Sequence, residues 1–152
     1  MIEVYPNLYV GSQDDIAEGF YLVQCAKYPF HRNAVGYAKQ CDKEHPEYLV
    51  AYRPTRIILN MVDTASPEFF SMRLIQPALD AIKQALKCGV KVLVHCNRGE
   101  SRGPGVAMLA MRNSLPDDYD EAKAKFKQLY PPLNMAAGID QFLAEVWNEQ
   151  VR

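Results

Sequence analysis

Cys96 and Arg102 carry the strongest chemical signal in the chain. Five residues separate them in Val94-His95-Cys96-Asn97-Arg98-Gly99-Glu100-Ser101-Arg102-Gly103-Pro104. A thiol with a pKa of about 8.5 is only about 3% thiolate at pH 7. Among backbone N–H donors and beside a guanidinium it falls to about 3.5–7.5, which gives up to about 30-fold more nucleophile. Arg102 adds a planar fork that grips two oxygens of a phosphate, a geometry lysine lacks. Gly99 permits torsions and close approaches that a side chain would obstruct. The competing reading of Cys96 is a buried packing cysteine at a strand end. The spacing to Arg102 and the strand-loop-helix setting favour the nucleophile.

Such a loop needs a rigid frame. Val90-Lys91-Val92-Leu93-Val94 reads as a buried strand, and Pro104 to Arg112 as a mostly apolar helix, so the loop leaves a strand's carboxyl end. Open parallel sheets bind ligands there, where loop amides and a helix N-terminus together attract anions. Further strands are expected in residues 1–10, as short edge strands, at Phe20-Tyr21-Leu22-Val23, and at Arg56 to Val62, ending at Asp63. Ser12 with Asp14 and Asp15 reads as a capped short helix. Ser66-Pro67-Glu68 reads as a helix start. Apolar residues then recur at a helical period from Phe70 to Leu86, with Pro77 expected to kink or divide the helix and Gly89 to cap it. Two more helices are expected, over about Pro116–Leu129 and Ala136–Gln150. Strands alternating with helices predict an α/β fold with a mostly parallel central sheet flanked by helices. With no repeat or linker, residues 1–152 read as a single domain.

The composition fits that frame. A chain of 152 residues, 49% hydrophobic and 23% charged, is globular and can bury roughly two-thirds of its unfolded surface. A net charge of -1 gives no support to a nucleic-acid partner or a polybasic membrane anchor. It conceals a positive stretch, residues 25–56, with six basic and three acidic side chains. No apolar run approaches the ~18 residues of a membrane span, and the start lacks the pattern of a signal peptide. Four irregularly spaced cysteines form no disulfide framework and suggest a cytoplasmic protein.

His95-Cys96-x-x-Gly99-x-Ser101-Arg102 resembles the signature of the protein tyrosine phosphatase superfamily, and most of all its compact dual-specificity branch. Asn7-Leu8-Tyr9-Val10-Gly11-Ser12 is similar to that branch's opening segment. Leu59-Asn60-Met61-Val62-Asp63 resembles its general-acid loop, with Asp63 standing 33 residues before Cys96. Asn134 and Gln141-Phe142 resemble the approach to its last helix. The resemblance covers most of the chain and is weakest over residues 25–55. It implies a two-step phosphomonoester hydrolysis without metal or cofactor. Cys96 attacks phosphorus, and Asp63 protonates the leaving oxygen and later activates water. Arg102 and the loop of Asn97, Arg98, Gly99, Glu100 and Ser101 hold the phosphate oxygens, while His95 supports the loop and the thiolate. The implied substrates are phosphorylated proteins or peptides, phosphotyrosine together with phosphoserine or phosphothreonine. The same scaffold also serves phosphoinositides, RNA 5′-ends and glycans. A phosphate-binding module without turnover is a second reading, and sulfur transfer of the rhodanese type a third.

Two departures stand out. Where the family usually has Ser or Thr after the arginine, this chain has Gly103, which predicts slower hydrolysis of the intermediate. Residues 25–46 are long and aromatic, and Cys25 to Arg32 are expected to form a rim beside the pocket. Other residues have simpler readings. Cys25, His31, Cys41 and His45 could ligate zinc by type, but their spacing fits no compact site, and no metal is expected. Cys88 could form a protective disulfide with Cys96, although packing at a helix end explains it more simply. Glu68 and Asp80 rival Asp63 as the acid, but Asp80 falls within a helix. The acidic and lysine residues from Asp117 to Lys127 read as a solvated helix face.

Overall fold

Four short apolar runs pair in parallel at the centre of the molecule: β2 (Leu8–Gly11), β3 (Tyr21–Gln24), β5 (Arg56–Leu59) and β6 (Val92–His95). Their continuity reflects burial on both faces, the usual condition of parallel strands. The computed structural model describes residues 1–149. Two antiparallel strands close the edges, β1 (Ile2–Tyr5) against β2 and β4 (Val50–Arg53) against β5, giving the order β1-β2-β6-β3-β5-β4. The expected single-domain α/β architecture with a mostly parallel sheet is the observed one. β4 is not among the expected strands. Its short run takes strand form by pairing with β5 across the Pro54-Thr55 turn.

Among the described residues, five α-helices accompany the sheet: α1 (Arg32–Val35), α2 (Met72–Lys87), α3 (Arg102–Ala110), α4 (Tyr119–Leu129) and α5 (Ala137–Val146). Val23, Ile57, Leu59, Val92 and Val94 share one large core with Leu74, Ile75 and Ile82 of α2, Val106 and Met108 of α3, and Ile139 and Leu143 of α5. Strand alternation sends Leu22, Gln24, Arg56, Ile58, Leu93 and His95 to the opposite face.

Several expected boundaries move. Ser66-Pro67 opens only a short 3-10 turn, Pro67–Phe69; α2 starts after Ser71, whose Oγ accepts from the Leu74 N–H at 3.2 Å. Phe70 is buried between the two. Pro77 does not divide α2, which runs through it for 16 residues. Interrupting the ladder there costs about 3 kcal/mol. Burying Leu74, Ile75, Leu79 and Ile82 contributes about 1.5–3 kcal/mol for each side chain, which offsets it. At the far end Gly89, with φ of 76°, donates to the Leu86 carbonyl while Val90 donates to that of Ala85, a Schellman ending. Ser12 begins a turn rather than a helix. Its N–H donates to Asp15 Oδ2 at 2.8 Å and its carbonyl accepts from the Asp15 N–H, leaving no helical ladder to cap. α4 starts at Tyr119, where Asp118 accepts from the Glu121 N–H. The helix expected over Ala136–Gln150 is α5; Gln150 lies outside the described residues.

Candidate functional site

β6 delivers Cys96 and α3 begins with Arg102, so the intervening loop is clasped between a buried strand and a buried helix. Cys96 is 2% exposed and Arg102 8%. Gly99, at φ of 77°, makes the turn. A Cβ there would stand 2.6 Å from the Gly11 carbonyl oxygen, so β2 leaves room only for glycine. Tyr130 Oη donates to the Gly99 carbonyl at 2.5 Å. Burial, with the field of Cys96, pushes that phenol up to about 12, which keeps the donor proton in place. Asn134 N–H donates to the Glu100 carbonyl at 2.8 Å, and Gln13 N–H to that of Asn97 at 3.1 Å. The carbonyls of Asn97, Gly99 and Glu100 are thus engaged by the surroundings. Among the described residues, the N–H groups of residues 97 to 101 donate to no acceptor in the chain. These free donors beside a cysteine form an anion cradle.

Arg102 sits at the edge of the cradle. Nη1 donates to the Met61 carbonyl at 3.0 Å and Nη2 to Asn97 Oδ1 at 2.6 Å, while Nε is buried without a partner. A buried N–H of this kind is costly unless an acceptor reaches it. An anion oxygen in the cavity beside it would supply one. That cavity, of about 220 Å³, is lined by Cys96, Arg102, Asp63, Asn134 and side chains of the loop.

Asp63 lies beyond β5 and enters the site through Ser101. The Ser101 Oγ donates to Asp63 Oδ1 at 3.0 Å and accepts from the Ala136 N–H at 2.9 Å. The segment is also held at Thr64, whose carbonyl accepts from Gly138 at the start of α5, 3.0 Å away. Of the rival acids, Asp80 is exposed in α2 and accepts from Gln76, and Glu68 is exposed in the 3-10 turn; neither lines the cavity. Asp63, Cys96, Asn97, Arg98, Glu100, Ser101 and Arg102 thus line one cavity, while Gly99 shapes the loop and His95 is not part of the lining.

Other expected roles resolve differently. Cys88 is the exposed cap of α2, and β6 separates it from Cys96 by about 13 Å of strand, too far for a disulfide. Cys25 is the thiol beside Cys96. It extends β3 next to the end of β6, its N–H donating to the His95 carbonyl at 2.8 Å. Burial, then the field of Cys96, pushes the Cys25 thiol well up, so it stands beside Cys96 uncharged. His31 gives one ring nitrogen to Tyr37 Oη and the other to the Glu47 carbonyl, each at 2.8 Å, so it has no ligand position free. No group of three or more His, Cys, Asp or Glu among the described residues could hold a metal. The segment after Cys25 does border the loop: Asn97 Nδ2 donates to the Tyr28 carbonyl at 3.0 Å.

The sequence reading missed Gln24, Tyr130 and the bridging part of Ser101. Gln24 had a faint signal, a lone amide closing an apolar strand. Tyr130 and Ser101 act through partners distant in the chain, which no local pattern reveals.

No family model matches the chain, and no curated protein matches it by sequence. Solved structures do match. The human tyrosine phosphatase-like serine/threonine/tyrosine-interacting protein aligns with a TM-score of 0.68 at 22% identity, over 95% of this chain and 93% of that one. Human DUSP28 aligns at 0.67 and 18% identity, over 98% and 96%. DUSP15 aligns at 0.68 and 17% identity, over 95% and 85%. The chain has the fold of these three proteins. No helix among the described residues is long and apolar enough to cross a membrane.

Proposed function

On a dual-specificity phosphatase fold, we propose that this protein is a cysteine-dependent phosphomonoester hydrolase. One observation carries the reading: Cys96 stands beside a run of unpartnered amides and the buried, unpartnered Nε of Arg102, in a cavity that Asp63 also lines. In the first step the Cys96 sulfur bonds to phosphorus as the ester bond breaks, and Asp63 protonates the departing oxygen. In the second, Asp63 takes a proton from water, which attacks phosphorus and releases Cys96. Arg102 and the loop amides bind the phosphoryl oxygens throughout, where fixed donors are worth most. The chain's own residues fill every role, so no metal or cofactor enters the scheme. Phosphorylated proteins or peptides are the proposed substrates. The free thiols Cys25, Cys41, Cys88 and Cys96 support a reducing compartment such as the cytoplasm.

The test is hydrolysis of an activated aryl phosphate and of a phosphopeptide in the presence of chelator. Turnover should persist in the wild type and vanish in Cys96→Ser. Asp63→Ala should lose roughly 10²- to 10⁴-fold on the phosphopeptide, whose leaving group is poor, and much less on the activated ester. Micromolar phosphopeptide binding without turnover would make the protein a phosphate reader instead.

A further inference from the structure

Three polar side chains cross the sheet face opposite the main core in a diagonal line. Arg56 of β5 donates from Nη1 to Gln24 Oε1 of β3 at 3.0 Å. Gln24 Nε2 lies 3.2 Å from His95 Nε2 of β6, and His95 Nδ1 lies 3.0 Å from the Cys96 carbonyl oxygen. Gln24 and His95 are buried, at 4% and 5% exposure.

The chemistry at each end fixes the direction of every bond. A guanidinium can only donate, so the Gln24 atom facing Arg56 is the carbonyl oxygen and its NH2 faces His95. His95 Nε2 is then the acceptor. A carbonyl can only accept, so Nδ1 carries the proton toward Cys96. The two ends demand the same tautomer.

We infer that Gln24 and Arg56 are positioning residues of the active site, which set the His95 tautomer and through it the donor to the Cys96 peptide. The inference rests on Cys96 being the nucleophile. A bond to the Cys96 carbonyl polarises that peptide, and its N–H belongs to Asn97, the first donor of the cradle. The relay thus strengthens a donor next to the sulfur without adding charge. His95 must stay neutral for this, and burial holds its imidazole below the usual range. The Phe30 ring covers it edge-on, centroids 5.0 Å apart. Of the charged groups, Asp15 after β2 acts on His95 and Arg56 of β5 reaches it through Gln24; Cys25 and Arg102 act near Cys96, and Asp63 and Glu100 line the cavity with it.

Two measurements test it, neither of which needs phosphatase activity. Nitrogen-15 NMR of the wild-type His95 ring at pH 7 should show the proton on Nδ1. In Gln24→Glu, where the partner becomes an acceptor, Nε2 should gain a proton as well. Alkylation of Cys96 by iodoacetate, followed on its peptide, should fall roughly three- to tenfold at pH 6 in Gln24→Met, about the worth of one buried hydrogen bond. At pH 9, above the ordinary thiol range, the rates should agree. A wild-type proton on Nε2 would overturn the inference whether or not any variant folds. So would wild-type alkylation at pH 6 in Gln24→Met, or an equal loss at both pH values.

Discussion

Gly103 is the residue at which this chain parts from the pattern of its loop. In the proposed scheme a hydroxyl at that position would steady the departing thiolate; glycine offers none. The structure gives a reason for the glycine itself. A Cβ on Gly103 would stand 3.1 Å from the His95 carbonyl carbon and 3.2 Å from the Cys96 nitrogen, so a side chain there would require α3 and the end of β6 to give by a few tenths of an ångström. In the proposed scheme, formation of the phosphocysteine would use the thiolate as nucleophile, whereas its breakdown would need the thiolate as leaving group. Losing a hydroxyl therefore weighs on the second step, and breakdown should limit turnover. At this scale the site was legible because its residues lie in two short segments, around Asp63 and from His95 to Arg102. Tyr130 and Gln24 come from elsewhere: Tyr130 reaches a main-chain carbonyl, and Gln24 the side chains of Arg56 and His95 far from it in the chain, which no local pattern reveals.

Position of the acid is a property of elements. The segment carrying Asp63 is not a regular structure; Ser101 holds it on one side and the first turn of α5 on the other. Gly138 is the point of closest approach, where a Cβ would stand 2.3 Å from the Thr64 carbonyl oxygen and 2.9 Å from that of Ser66. Gly138→Ala must therefore displace the acid segment or α5. We expect a loss of about tenfold or more in turnover of a phosphopeptide, a smaller loss with an activated ester, and about 1–3 kcal/mol less stability by urea titration. Wild-type turnover and an unmoved midpoint would show that α5 does not hold the acid. The strands of the central sheet and the main helices were legible because burial on both faces gives continuous apolar runs and one-sided burial gives a helical period. β4 and the turn at Ser12 were not. β4 exists by pairing with β5, and Ser12 loses its helix to a local bond with Asp15, choices that depend on partners rather than on composition.

For the molecule as a whole, the two buried histidines tie stability to pH. His31 and His95 are each held below the ordinary imidazole range, chiefly by burial. The unfolded chain therefore binds more protons than the native one as pH falls through about 6.5. Stability is full above that value and declines below it, by up to about 1.4 kcal/mol per histidine for each pH unit until the native histidines also titrate. Asp15, Glu47 and Asp140 are held low, so their contribution is lost only in the acid range below about 4. The window from about 6.5 to 4.5 thus belongs to the histidines. The urea midpoint should drop steadily across it, and less steeply in His31→Gln. A midpoint independent of pH in that window would contradict the burial of both rings as neutral donors and acceptors.

The central claim is a covalent step at Cys96, and rapid-quench kinetics with a phosphoryl-labelled aryl ester tests it most directly. The account predicts a burst of released alcohol approaching one equivalent of enzyme, with the label trapped on the peptide that contains Cys96. Steady turnover with no burst and no label on Cys96 would contradict it.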